Sequence, residues 1–133
     1  MQIYLMKLSS FYLAIAAFLV SFVLLVLPGD EFPKSKLFDV KGLDKIVHTT
    51  MFFALTWLFC RPFRSSVFDS KGREKWFLQI MISLIVYGIL MEFVQKYFVP
   101  FRSFELADIG VDSLGAITGY LVSRKMFIKR EMN

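Results

Sequence analysis

The sequence predicts an all-α integral membrane four-helix bundle. Hydrophobic residues make up 56% of the 133 residues, 16 residues are phenylalanine, and the mean hydropathy is +0.57. A soluble domain of this length could not bury so much apolar surface, whereas the hydrocarbon of a bilayer solvates it. Four apolar stretches are separated by linkers with charged residues, Pro or Gly. Each stretch therefore predicts one membrane-crossing helix.

The four helices are predicted at residues 8–27, 44–60, 76–96 and 107–128 of a single domain that covers residues 1–133. No small-residue cleavage site follows the first stretch, so we expect a retained anchor rather than a signal peptide. The second stretch has about 17 residues, or roughly 25 Å of helix, and only just spans hydrocarbon. In the fourth stretch, Gly115 and Gly119 form a G-x-x-x-G pattern, which favours a close seam between helices in lipid.

The distribution of basic residues predicts the orientation in the membrane. A net charge of +5 would favour nucleic acid in a soluble protein, but here the basic residues flank apolar segments and meet anionic head groups. No nucleic-acid partner is therefore expected. Ten of the 16 basic residues lie on the side that holds both termini and the linker between the second and third helices. The positive-inside rule places that side, and both termini, in the cytoplasm.

Ionisable and amide side chains gather on the opposite membrane side. They are Asp44, Lys45, His48, Glu92, Gln95, Arg102, Asp108 and Asp112. Three of them, His48, Glu92 and Asp112, come from different helices and lie about 6–8 Å below the interface. Ionisable groups inside a membrane are costly and need partners. The spacing therefore predicts a polar pocket at this depth.

Several polar residues at this end also have a structural explanation. Asp44 and Asp108 stand where N-caps belong, and their charge suits the helix dipole. The side chains of Lys45 and Lys96 can extend to the head groups. Glu92 is harder to explain in this way, because the dipole at a helix C-terminus disfavours a carboxylate. We expect the set as a whole, rather than any one member, to serve a function.

Three chemistries fit the set. In the first, His48 is oriented by Asp44 and acts as a general base, and Glu92 or Asp112 is the acid. In the second, the same four side chains ligate a divalent cation such as zinc or manganese, although their spacing matches no strong metal motif. In the third, Arg102 holds a phosphate or a carboxylate at the outer surface. The cofactor, if there is one, stays open.

Several short motifs resemble those of the VanZ-like family. The segment Leu43-Asp44-Lys45-Ile46-Val47-His48 is similar to that family's D-K-x-x-H segment. Its E-x-x-Q, P-x-R and D-x-x-x-N-x-x-G-A elements are matched in order by Glu92-Phe93-Val94-Gln95, Pro100, Arg102, Asp108 and Ser113-Leu114-Gly115-Ala116. The resemblance covers roughly residues 43 to 121. One position departs: the family usually has Asn where this chain has Asp112, which adds a charge or a proton to the pocket.

The resemblance implies a protein of the bacterial inner membrane that affects the cell envelope, since the family is named for a protein that lowers sensitivity to the glycopeptide teicoplanin. We expect an outer-leaflet pocket that binds an anionic membrane lipid or a lipid-linked cell-wall precursor, with Arg102 and Lys45 as anion contacts. The expected partner is thus a membrane lipid, with such a precursor or a glycopeptide as alternatives. One alternative is a membrane-embedded hydrolase or transferase, with His48 and Glu92 as the acid–base pair. Another is an accessory subunit in which the polar cluster only holds the helices together.

Overall fold

The computed structural model describes residues 6–28 and 42–128, and every regular element in these two ranges is helical. The α-helices are α1 (Tyr12–Val26), α2 (Leu43–Cys60), α3 (Ser70–Phe98) and α4 (Leu106–Phe127). Two short 3-10 helices, Leu8–Phe11 and Arg61–Ser65, precede α1 and follow α2. The predicted all-α class is therefore confirmed. The basic residues Lys34, Lys36, Lys41, Lys129 and Arg130, which enter the predicted charge bias, lie outside the described residues.

The third helix begins earlier than its apolar stretch. It was predicted from residue 76 but starts at Ser70, because the Asp69 side chain accepts a hydrogen bond of 2.8 Å from the backbone N–H of Gly72 and caps the helix end. With 29 residues, α3 is roughly 43 Å long and exceeds the hydrocarbon thickness of about 30 Å. Its polar first turns therefore extend beyond the apolar part.

The predicted N-caps are wrong. Gly42, with φ of 93°, precedes α2, and Glu105 precedes α4; neither makes a side-chain capping bond. Asp44 and Asp108 lie instead inside the first helical turns. Their negative charge still faces the positive end of each helix dipole. The predicted interaction of these two carboxylates with the helix dipoles is retained, but neither aspartate is the N-cap residue.

The four helices run alternately up and down. At one end, the C-termini of α1 and α3 meet, and the Gln95 side-chain amide donates a hydrogen bond of 2.8 Å to the Leu25 carbonyl. At the other end, Phe63 after α2 contacts the rings of Phe11 before α1 and Trp76 in α3. We call the first the polar end and the second the basic end. The N-termini of α2 and α4 lie at the polar end, and their C-termini lie at the basic end.

The most extensive helix pair, α2 and α4, is closed by the G-x-x-x-G glycines. A Cβ atom added to Gly115 would lie 2.3 Å from the Thr49 carbonyl oxygen, and one added to Gly119 would lie 2.8 Å from the Phe53 carbonyl oxygen. Only the absence of a side chain allows such a close backbone approach. The predicted seam is confirmed, and it fixes how the polar ends of α2 and α4 face each other.

Large apolar side chains cover much of the outer surface. Leu19 and Val20 of α1 and Ile82 and Leu90 of α3 are each at least half exposed. Two helical segments, Leu8–Val26 and Ser70–Phe98, are long and apolar enough to cross a membrane by length and composition. Exposed apolar area of this extent marks contact with lipid or with another protein.

Candidate functional site

The centre of the polar end is a buried pair between α2 and α4. His48 Nδ1 lies 2.9 Å from Asp112 Oδ1, and the two side chains are 8% and 3% exposed. The side chain of Asp44, one turn before His48, is 60% exposed and contacts Lys45 instead. Asp112, not Asp44, therefore orients the imidazole. The prediction that Asp44 does so is wrong.

A second contact joins the same two helices closer to their N-termini. The Lys45 ammonium contacts the carboxylates of Asp108 and Glu105 and lies 3.0 Å from Asp44 Oδ2. Within residues 6–28 and 42–128, these three acidic side chains are the cluster close enough to share a metal ion. The Lys45 ammonium already supplies a positive charge to that cluster. It is directed towards carboxylates rather than towards a cavity.

The four residues expected to share a divalent cation, Asp44, His48, Glu92 and Asp112, do not all face a common point. Asp44 turns to Lys45, whereas His48 turns to Asp112. Glu92 is 1% exposed, and its Oε2 accepts a hydrogen bond of 3.0 Å from the backbone N–H of Glu105. Each carboxylate thus has its own nearest partner.

The bond to Glu92 stabilises the start of α4. Glu105 is the residue before that helix, and a backbone N–H at a helix N-terminus has no partner within the helix. A carboxylate there is favoured by the dipole and by the charge of the hydrogen bond. Lys96, one turn after Glu92, lies instead over the ring of Tyr97, 5.2 Å from its centroid. Glu92 therefore finds its hydrogen bond on the backbone rather than on Lys96.

Two further predicted residues hold the C-terminus of α1. Arg102 donates from Nε to the Leu27 carbonyl at 3.2 Å and from Nη2 to the Leu24 carbonyl at 3.4 Å, and Gln95 binds Leu25. The last carbonyls of a helix lack partners within it, and a cation there suits the dipole. Burial lowers the pKa of the Arg102 guanidinium, although nearby carboxylates oppose the shift. A guanidinium keeps its charge in such surroundings.

A cavity of about 340 Å³ opens beside these groups, between α1, α2 and Arg102. Its lining residues are Leu24, Leu25, Leu43, Asp44, Val47, His48, Met51 and Arg102. Most of the wall is apolar, and a few polar groups converge on it, as is typical of a small-molecule site. Asp112 lies on the Nδ1 side of the His48 ring, and His48 also lines the cavity.

Sequence reasoning brought the right helices together but missed some residues. Glu105 was not singled out, although it lies one turn before Asp108 and faces the same lysine. The apolar wall from α1 was missed as well. Leu24 and Leu25 belong to a uniformly hydrophobic stretch, so the residue types do not indicate which face of α1 packs against the other helices.

The sequence profile of the VanZ/LLP1 family matches residues 5–129. The chain belongs to this family. The match spans the resemblance found from the short motifs and also includes α1. No curated protein and no solved structure matches the chain.

In this VanZ/LLP1 protein, two of the family-like motifs contact each other. The D-K-x-x-H residues Lys45 and His48 of α2 face Asp108 and Asp112 of α4. The one-turn spacing on both helices makes two successive contacts between them. We call the Lys45–Asp108 contact the outer rung and the His48–Asp112 contact the inner rung. Asp112 stands at the position where the resemblance gives Asn.

Proposed function

We propose that this VanZ/LLP1 protein is a multi-pass protein of the bacterial inner membrane, with both termini in the cytoplasm. Its cavity at the polar end lies in the outer leaflet and binds the anionic head group of a membrane lipid or a lipid-linked cell-wall precursor. Membrane placement is supported by the two long apolar helical segments, by the exposed apolar side chains and by the family.

The observation that carries the proposal is the mixed wall of the cavity. Leu24, Leu25, Val47 and Met51 form an apolar surface next to the cationic Arg102. Such a surface is complementary to a molecule with both a charged group and hydrocarbon. Leu24 is 39% exposed and Val47 is 46% exposed, so the cavity has an apolar margin. In a bilayer this margin would admit a lipid sideways.

The positions of the basic residues favour Arg102 as the contact for the anion. Its guanidinium is fixed on the wall by the α1 carbonyls, and a guanidinium suits the oxygens of a phosphate or a carboxylate. Lys45, which was expected to share this role, contacts three carboxylates and is left out of the proposal.

Retention of lipid through purification tests the proposal. Native mass spectrometry of the full chain in detergent should detect an anionic lipid on the wild-type protein and much less on Arg102→Gln. The matched control is Lys96→Gln, which removes a charge at the same end from a residue outside the cavity lining. Val47→Trp should also reduce retention, because it fills the cavity and leaves the Arg102 contacts intact. Equal retention in all four proteins would refute the proposal.

The His48–Asp112 pair favours a second candidate function, a hydrolase or transferase acting on the same lipid. The cavity lining has no Ser, Thr or Cys, so the nucleophile would be water or a substrate hydroxyl. His48 would take a proton from that hydroxyl as its oxygen forms the new bond, and would return the proton to the leaving oxygen. Asp112 would stabilise the imidazolium. In this scheme Asp112, rather than Glu92, is the partner of His48.

Turnover distinguishes the two functions. Incubation of the purified protein with a bacterial lipid extract should yield a new lipid mass if the chain is an enzyme. His48→Ala should then abolish that product, whereas Glu92→Gln, which alters a residue outside the cavity lining, should retain it. The link to teicoplanin is tested separately, by expression in a sensitive bacterium. Arg102→Gln should remove any gain in resistance.

A further inference from the structure

The basic end of the bundle carries many more cations than anions. The basic residues described there are Lys7, Arg61, Arg64, Lys71, Arg73, Lys75, Arg124 and Lys125, and the acidic ones are Asp69 and Glu74. Asp69 caps α3, and Glu74 Oε1 lies 2.9 Å from Arg124 Nε. Both acidic side chains that the structure describes at this end are therefore already engaged.

Two of these cations border a groove. It has a volume of about 540 Å³, and its lining residues are Arg64, Val122, Lys125, Met126 and Phe127. Arg64 comes from the 3-10 helix after α2, whereas the other four belong to the last two turns of α4. Within residues 6–28 and 42–128, neither Arg64 nor Lys125 forms an ion pair with an acidic side chain. Both are exposed.

The rest of the groove is apolar and open to the outside. Val122 is 36% exposed and Met126 is 47% exposed, whereas Phe127 is 5% exposed and forms the floor. Val122 lies one turn deeper along α4 than Met126. Val122 also lies deeper along α4 than Lys125, whereas Met126 lies beside that lysine, so the deepest part of the lining is hydrocarbon. An anionic phospholipid has the same order of charged group and chains along the bilayer normal.

We propose that this groove is a second lipid site, which binds the phosphate of an anionic phospholipid from the leaflet at the basic end. Arg64 and Lys125 contact the phosphate, and Val122 and Met126 contact the upper part of an acyl chain. The proposal rests on the membrane placement proposed above but not on the cavity at the polar end. An acidic peptide would use the two cations equally well, but it would leave the apolar side chains beside them without a role.

Titration of phosphatidylglycerol into the purified full chain in detergent tests the site, with bound lipid counted by native mass spectrometry. A basic residue near an anionic surface contributes about 1 kcal/mol, or roughly fivefold in affinity. Arg64→Gln and Lys125→Gln should each weaken binding about fivefold, and the double variant roughly 25-fold. The matched control is the Lys71→Gln/Lys75→Gln double variant, which removes the same charge at the same end but outside the groove. It should change the affinity less than twofold.

Three results would overturn the site. If both double variants lose affinity equally, the attraction is a diffuse effect of net charge. If neither loses affinity, the phosphate binds elsewhere. If soluble glycerol phosphate binds as well as the lipid, the apolar lining plays no part. If a double variant does not fold, the affinities of its single variants are compared with each other in the same way. In the Arg102→Gln background, which removes the anion contact proposed for the cavity at the polar end, the Arg64→Gln/Lys125→Gln change should still weaken binding roughly 25-fold, which separates the two sites.

Discussion

His48 and Asp112 are 64 residues apart in the sequence, and their side chains meet at 2.9 Å inside the bundle. One turn closer to the helix ends, Lys45 contacts Asp108 across 63 residues. One face of α2 is thereby paired with one face of α4 through two polar contacts, the inner rung and the outer rung. The inner rung is buried and borders the cavity, whereas the outer rung is partly exposed.

Removing the acceptor of the inner rung should destabilise the protein. In Asp112→Ala, a buried imidazole loses its hydrogen-bond partner, which costs about 1–3 kcal/mol. Asp112→Asn keeps an oxygen in the same place and should lose less. Thermal unfolding in detergent measures both. The control is Asp44→Ala, whose carboxylate is 60% exposed and whose loss should matter little. An Asp112→Ala variant as stable as the wild type would contradict a stabilising role for the His48–Asp112 contact.

The outer rung should depend on the positive charge of Lys45. Lys45→Met leaves three carboxylates close together without their cation, so we expect a loss of about 1–3 kcal/mol in unfolding free energy. Lys45→Arg should retain most of the stability. A second change, Asp108→Asn, should restore part of what Lys45→Met loses, because it removes one of the repelling charges. The double-mutant cycle is read by thermal unfolding, and additive losses would argue against direct coupling.

The seam between α2 and α4 should tolerate no side chain at Gly115. Gly115→Ala places a Cβ atom 2.3 Å from the Thr49 carbonyl oxygen, so the helices must separate at a cost of about 3 kcal/mol or more. Gly110→Ala is the matched control in the same helix, since nothing lies within 4 Å of its Cβ. It should stabilise α4 by about 0.5–1 kcal/mol. Similar unfolding temperatures for the two variants would contradict the seam.

The proposed orientation is tested with a pair of serines at opposite ends. Ser65 at the basic end and Ser103 at the polar end are both exposed, and the native Cys60 is fully buried, so it should give little background. A membrane-impermeant maleimide added to intact cells should label Ser103→Cys but not Ser65→Cys. Ser65→Cys should become reactive after permeabilisation. The reverse pattern would show that the protein has the opposite orientation in the membrane. Labelling of both cysteines in intact cells would refute the membrane placement.

The helical class and the site's neighbourhood could be predicted because they depend on local information. Hydropathy defines helices from successive residues. The one-turn spacing of Lys45–His48 and Asp108–Asp112 places each pair on one face of its helix. The G-x-x-x-G pattern of Gly115 and Gly119 likewise predicted a close contact without naming the partner helix.

The sequence by itself therefore determined an all-helical, apolar chain in which His48, Glu92 and Asp112 lie near the same end. Only the tertiary structure decided which groups are partners: Asp112 rather than Asp44 for His48, and a backbone N–H rather than a basic side chain for Glu92. The physical reason is that partner choice depends on how far each helix is rotated about its axis and how far it slides along its neighbour. Those two quantities are set by the packing of α2 against the glycines of α4, which couples residues far apart in the chain.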